Sequence, residues 1–130
     1  MTDDKQQKIR VYLSLLWVVA MYGVTGLTEA VPPADVPEFY HIVIHTAGYL
    51  LLALLVPLFP PTTRRTWLAL LGLAVLVGFG QEAIQNLARG RLYFWASLFD
   101  LGVDGFGAAL GLWARVIWRR RQERAGDYGV

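Results

Sequence analysis

Residues 66–87, TWLALLGLAVLVGFGQEAIQNL, indicate the fold most clearly. The run contains a single charged side chain, Glu82, which lies near its end. An α-helix needs about 20 mostly apolar residues to cross the roughly 30 Å hydrocarbon layer of a membrane. The run therefore predicts a membrane-spanning helix rather than an element of a water-soluble domain.

The composition of the whole chain agrees with a membrane protein. Of its 130 residues, 55% are hydrophobic and 17% are charged, whereas soluble proteins average about 45–50% and about 25%. A soluble domain of this length needs more charge to cover its surface. The chain has no cysteine, which excludes disulfides, thiol nucleophiles and cysteine-ligated metal centres. The sequence contains no phosphate-binding or base-reading motif, so nucleic acid is not expected as a partner.

Three further apolar stretches resemble the first in length. The four predicted spans cover about residues 11–27, 40–59, 66–87 and 97–118. We therefore predict an all-α, polytopic membrane protein in which four transmembrane helices form one bundle and one domain, residues 1–130. The first stretch could instead be a signal peptide cleaved near Thr28-Glu29-Ala30, but it is longer than the usual hydrophobic region of about 7–15 residues.

The basic residues are distributed unevenly between the two ends of the predicted bundle. Of the twelve Lys and Arg residues, ten lie in the N-terminal tail, the connection between spans two and three, and the C-terminal end. Only Arg89 and Arg91 lie at the opposite end. Because positively charged loops remain in the cytoplasm, both termini are predicted to be cytoplasmic and the protein to be a multi-pass component of the cell inner membrane.

Polar residues within the spans are predicted to lie together near the outer surface. Charged side chains are costly in hydrocarbon and need a partner or a function. On the third span, Glu82, Gln85 and Arg89 fall within about 60° of one another around the helix. The predicted ligand-binding or functional cluster, with His41 one turn away, consists of His45, Tyr49, Glu82, Gln85, Arg89, Arg91, Asp100 and Asp104.

The residue types in this cluster leave several interpretations open. Glu82 could pair with Arg89 or Arg91 and serve only to lock the helices together. His45 could act as an acid or base with Glu82 or Asp104, with Thr46 or Ser97 as a nucleophile. A metal bound by the two histidines is conceivable, but the chain lacks the H-E-x-x-H pattern, so we predict neither a metal nor a cofactor.

Gly107 and Gly111 form a GxxxG pair in the fourth span, a spacing that permits close approach between helix backbones. This glycine face is a candidate contact for a membrane protein partner. The chain would then be a small accessory or structural subunit of a larger membrane complex.

The order of the polar residues resembles the VanZ-like family of small bacterial membrane proteins over about residues 35–111. One matching block is His45-Thr46-Ala47-Gly48-Tyr49-Leu50. The other is Glu82-Ala83-Ile84-Gln85, followed by Arg89 or Arg91, Asp100, Asp104 and Gly107. The chain departs from the family pattern at His41 and Ile42, where the family often has aspartate and lysine, and at Asp104, where it has asparagine.

The resemblance implies a role in the cell envelope. The founding member of the family accompanies glycopeptide resistance genes and is linked to teicoplanin resistance. We therefore expect an envelope protein that binds a lipid headgroup, a wall precursor or a glycopeptide-type ligand among membrane lipids. The alternatives are a membrane enzyme acting on a lipid-linked substrate and the accessory subunit described above.

Overall fold

The computed structural model describes residues 3–30, 38–56 and 63–127. Within these ranges all regular structure is helical and there is no strand, which confirms the all-α prediction. The four helices are α1 (Asp3–Ala30), α2 (Glu38–Leu55), α3 (Arg64–Arg89) and α4 (Phe94–Asp127). The predicted end of the second span, residues 57–59, lies outside the described residues.

Two helices are long and apolar enough to cross a membrane, over Lys5–Leu27 and Arg64–Arg89. A shorter apolar helical segment runs over Phe39–Leu55. The helix α4 begins three residues before the predicted fourth span and continues well beyond it, to Asp127. Its charged end remains helical because Arg and Glu are good helix formers and because Arg119 and Glu123, one turn apart, form an ion pair over 2.8 Å.

The most extensive helix contact is between α2 and α4. Gly107 and Gly111 make it possible, because a Cβ atom at Gly107 would collide with the backbone of Thr46, and one at Gly111 with the carbonyl oxygen of Leu50. The GxxxG pair thus serves close backbone approach within the chain. In the described residues α2 covers this glycine face, and a partner protein for the chain stays a prediction.

The helix α1 packs against α2 and α3 through aromatic side chains. The indole nitrogen of Trp17 donates a hydrogen bond to the carbonyl oxygen of Gly48 in α2, over 3.0 Å. The hydroxyl of Tyr22 donates to the carbonyl oxygen of Val77 in α3, over 2.9 Å. These bonds fix the position of α1 beside the α2–α4 pair.

Arg115 belongs to the packed part of the bundle. Its guanidinium is half-buried and donates hydrogen bonds to the carbonyl oxygens of Val56, at 2.5 Å, and Ala53, at 3.3 Å. The last carbonyls of a helix have no partner within the helix, and a nearby arginine satisfies them. Arg115 therefore caps the C-terminal end of α2, a role that its place in an arginine-rich segment did not indicate.

A tight turn joins α3 to α4 and positions the candidate site. Gly90 ends α3 with a left-handed backbone, φ 67°, which favours glycine. Its amide donates to the carbonyl oxygen of Leu87, and the amide of Arg91 donates to that of Asn86, each over 3.2 Å. The first turns of α4 are thereby brought against the last turns of α3.

Candidate functional site

Two histidine–carboxylate pairs join α2 to α4. His41 Nε2 lies 3.1 Å from Asp100 Oδ1, and His45 Nδ1 lies 2.8 Å from Asp104 Oδ1. The histidines are four residues apart on α2 and the aspartates four residues apart on α4, so the pairs lie one helical turn apart. The centroids of the two imidazole rings are 4.3 Å apart. Of the two acid–base partners considered for His45, Asp104 is the one that contacts it.

The two pairs differ in their exposure. The side chains of His41 and Asp100 are 42% and 11% exposed, whereas those of His45 and Asp104 are 7% and 1% exposed. The outer pair is therefore partly accessible at the protein surface, whereas the inner pair is buried. Because a buried charged group needs a partner, the inner pair is the more important of the two for the fold.

A second hydrogen-bond network connects α1, α2 and α3. The hydroxyl of Tyr49 donates to Gln81 Oε1 over 3.0 Å, and Gln81 Nε2 donates to Thr25 Oγ1 over 2.6 Å. All three residues are buried. Tyr49 was predicted in the cluster, but Gln81 and Thr25 were missed. The position of Gln81, one turn before Gln85, could have indicated it, whereas a lone threonine in an apolar span carries no such signal.

A cavity of about 660 Å³ lies between α3 and α4, beside the turn that connects them. Glu82 is 5% exposed and lines this cavity. Its Oε1 atom is buried and has no hydrogen-bond partner among the described residues. Gln85, one turn further along α3, is also buried. Glu82 therefore places a buried, unsatisfied acceptor in the wall of the cavity.

Asn86 organises the polar side of the cavity. Its Nδ2 atom donates to the hydroxyl of Ser97 and to the carbonyl oxygen of Glu82, each over 2.9 Å. Its Oδ1 atom accepts a hydrogen bond from the amide of Tyr93, also over 2.9 Å. Asn86 was not among the predicted site residues. Its side chain links the end of α3 to the start of α4.

Arg89 and Arg91 are exposed at the turn, around Tyr93. Their guanidinium carbons lie 5.7 Å and 4.5 Å from the centroid of the Tyr93 ring. Arg89 is the last residue of α3 and is exposed, whereas Glu82 and Gln85, which share its helix face, are buried. Arg91 lines the mouth of the cavity.

The proposed nucleophiles are not aligned with the histidine pair. The described hydrogen bonds join Ser97 to Asn86 and His45 to Asp104, so no nucleophile–base hydrogen bond is present between Ser97 and His45. In the described part of the chain, no three His, Asp or Glu side chains converge as metal ligands. The backbone of Thr46 packs against Gly107 in the contact between α2 and α4.

No protein-family model, curated protein or solved structure matches this chain. Its function is therefore inferred from the geometry of the site.

Proposed function

We propose that the chain is a four-span, multi-pass protein of the cytoplasmic membrane, with both termini in the cytoplasm. Two helices of sufficient length and apolarity support membrane insertion. So do large apolar side chains exposed on every helix, such as Leu16, Ile44, Leu76 and Phe106. Soluble monomers rarely expose continuous apolar surface of this kind. The ten basic residues at one end of the bundle support the orientation.

The orientation can be tested with single cysteines, because the chain has none of its own. We expect a membrane-impermeant maleimide added to intact spheroplasts to label Arg91→Cys. Arg120→Cys should be labelled only after the membrane is permeabilised, since it lies in the cytoplasmic arginine-rich segment. Both positions are exposed, so access depends on sidedness. Labelling of both variants from the same side would show that α4 does not cross the membrane.

Within this topology, the protein binds an amphipathic ligand at the outer leaflet, in the cavity between α3 and α4. The observation that carries this proposal is the buried Oε1 atom of Glu82, which lines the cavity without a hydrogen-bond partner among the described residues. An unsatisfied buried acceptor costs about 1–3 kcal/mol, and more when it is charged. Ionisable groups at membrane depth are retained for function. A ligand that donates to Glu82 compensates this cost.

The surroundings of Glu82 define the class of ligand. Apolar side chains form most of the cavity wall, among them Phe79, Leu98 and Leu101. The polar residues of the wall are Glu82, Asn86, Ser97 and Arg91, and the Asn86 amide is bonded to Ser97 and to the backbone. Lipid headgroups, wall precursors and glycopeptide-type ligands all combine a polar group with an apolar chain. The resemblance to VanZ-like proteins favours the last two of these, whereas the volume of the cavity, about 660 Å³, is that of a site for a headgroup or another group of drug size.

The binding role can be tested by replacing Glu82 with glutamine, which keeps the shape of the side chain and removes its charge. We expect the wild-type protein, extracted in mild detergent, to carry a lipid or other amphiphile that mass spectrometry detects, and Glu82→Gln to retain much less. The matched control is Glu123→Gln, an exposed position at the other end of α4. Equal retention by wild-type protein and Glu82→Gln would contradict the proposal.

A further inference from the structure

The hydrogen bonds around the cavity show which group is free to meet a ligand. Both N–H groups of the Asn86 amide are engaged, one by Ser97 and one by the backbone of Glu82. Its oxygen accepts from the amide of Tyr93. Glu82 Oε1 has no donor among the described residues. A carboxylate accepts hydrogen bonds and donates none, so the inner end of the cavity favours a group with N–H or O–H donors.

The mouth of the cavity favours the opposite charge. Arg91 lines this end and its side chain is exposed. Its guanidinium lies over the ring of Tyr93, with 4.5 Å between the guanidinium carbon and the ring centroid, which holds the side chain at the turn. Guanidinium groups bind phosphate through paired N–H donors. A ligand that carries an anionic group near its N–H or O–H donor group is therefore complementary to Arg91 at one end of the cavity and to Glu82 at the other.

The separation of the two ends suits a short headgroup. Residues 82 and 90 lie about 12 Å apart along the axis of α3. Glu82 and Arg91 both line the cavity, and an interval of this length has the scale of a short zwitterionic headgroup. Leu87, Leu92 and Phe94 line the cavity between and beyond them. These side chains provide an apolar surface for an acyl chain that leaves the headgroup towards the bilayer.

We propose that the cavity binds the headgroup of an amine-bearing phospholipid, with its ammonium group on Glu82 and its phosphate on Arg91. This inference rests on the proposed function and names its ligand. A primary ammonium offers three N–H donors to a carboxylate, and a charge-assisted bond of this kind is stronger than a neutral one. A quaternary ammonium has the same charge but no N–H donor, so it leaves Glu82 Oε1 unsatisfied.

The test is a series of lipids with identical acyl chains and increasing methylation of the amine. Delipidated wild-type protein in detergent is titrated with phosphatidylethanolamine, its monomethyl and dimethyl derivatives and phosphatidylcholine, and bound lipid is measured by native mass spectrometry. We expect affinity to fall along the series, by about tenfold between its ends, which corresponds to the loss of one charge-assisted hydrogen bond. Phosphatidylglycerol offers O–H donors without a positive charge, so it should bind less tightly than phosphatidylethanolamine.

Two variants test which residue binds the ammonium group and which binds the phosphate. In Glu82→Gln the dependence on methylation should disappear, because the carboxylate that distinguishes the amines is absent. In Arg91→Ala the affinity for all the lipids should fall by a similar factor, because the phosphate is common to them. Glu123→Gln is the matched control and should behave as wild type. The methylation series on wild-type protein tests the inference even if Glu82→Gln does not fold.

The outcomes separate this inference from the broader proposal. Equal wild-type affinity for phosphatidylethanolamine and phosphatidylcholine overturns the inference. If binding of both is then lost in Glu82→Gln, the general ligand-binding function still stands. If neither Glu82→Gln nor Arg91→Ala changes lipid binding, both proposals are wrong. A methylation dependence that persists unchanged in Glu82→Gln overturns the assignment of the ammonium to Glu82.

Discussion

Replacing His45 or Asp104 by alanine is expected to lower the free energy of unfolding by about 3–5 kcal/mol, because the remaining partner is left buried without compensation. The two side chains are 7% and 1% exposed, and 2.8 Å separates the His45 and Asp104 atoms that contact. The loss should be visible as earlier loss of helical circular dichroism when the protein in detergent is titrated with denaturant. The double alanine variant should lose much less than the sum of the two single variants.

The outer pair supplies the matched control. His41 and Asp100 have the same spacing and the same chemistry, but His41 is 42% exposed. Water competes for an exposed pair, so its coupling energy should be about 1 kcal/mol or less. Equal coupling energies for the inner and outer pairs would show that burial does not determine their strength.

The variant Asp104→Asn tests the inner pair with a smaller chemical change than Asp104→Ala. Asp104→Asn keeps a hydrogen-bond acceptor for His45 and removes the charge, so we expect a loss of about 1 kcal/mol. Asparagine is also the residue that the VanZ-like pattern has at this position. If Asp104→Asn destabilises the protein as strongly as Asp104→Ala, the charge of Asp104 is required for the fold.

Replacing Gly107 by alanine is expected to lower the free energy of unfolding by about 1–3 kcal/mol, the usual cost of overpacking a close contact. The added methyl group would meet the backbone of Thr46, which cannot move unless α2 moves with it. Gly111→Ala should have a similar effect, because its Cβ would lie 2.5 Å from the carbonyl oxygen of Leu50. Thermal unfolding followed by circular dichroism measures both.

Gly102 and Gly105 are matched controls on the same helix. A Cβ atom at either position meets no neighbour within 4 Å. Alanine is the better helix former, so these two variants should be as stable as the wild type or more stable, by up to about 1 kcal/mol. If Gly105→Ala and Gly107→Ala behave alike, the close contact between α2 and α4 does not contribute to stability.

The helical class and the shared helix faces of the histidines and of the aspartates could be predicted because they follow from periodicity, whereas the sequence left open whether His45 pairs with Glu82 or with Asp104. His41 and His45 share a face of α2, Asp100 and Asp104 share a face of α4, and the glycine spacing on α4 brings these two helices together. The same angular argument did not predict that Arg89 is exposed. Angle around a helix axis does not show how far neighbouring elements cover a residue at the end of the helix.

Other parts of the site depend on contacts that a single sequence does not reveal. The bond between Gln81 and Thr25 joins residues 56 positions apart, and Thr25 is an isolated polar residue within an apolar span. The contact of Arg115 with the end of α2 requires that α2 stop at Leu55. Neither the axial register of the helices nor their order around the bundle is encoded in hydropathy.

The length of α4 has a mechanical consequence. At 34 residues, this helix is about 51 Å long, and it is uninterrupted from Phe94 to Asp127. The close glycine contact with α2 lies near its middle, about 18 Å from Ser97 in one direction and about 22 Å from Arg124 in the other. A tilt of α4 about this pivot displaces its two ends in opposite directions by similar amounts. The wall of the cavity at one end and the arginine-rich segment at the other are therefore parts of one continuous helix.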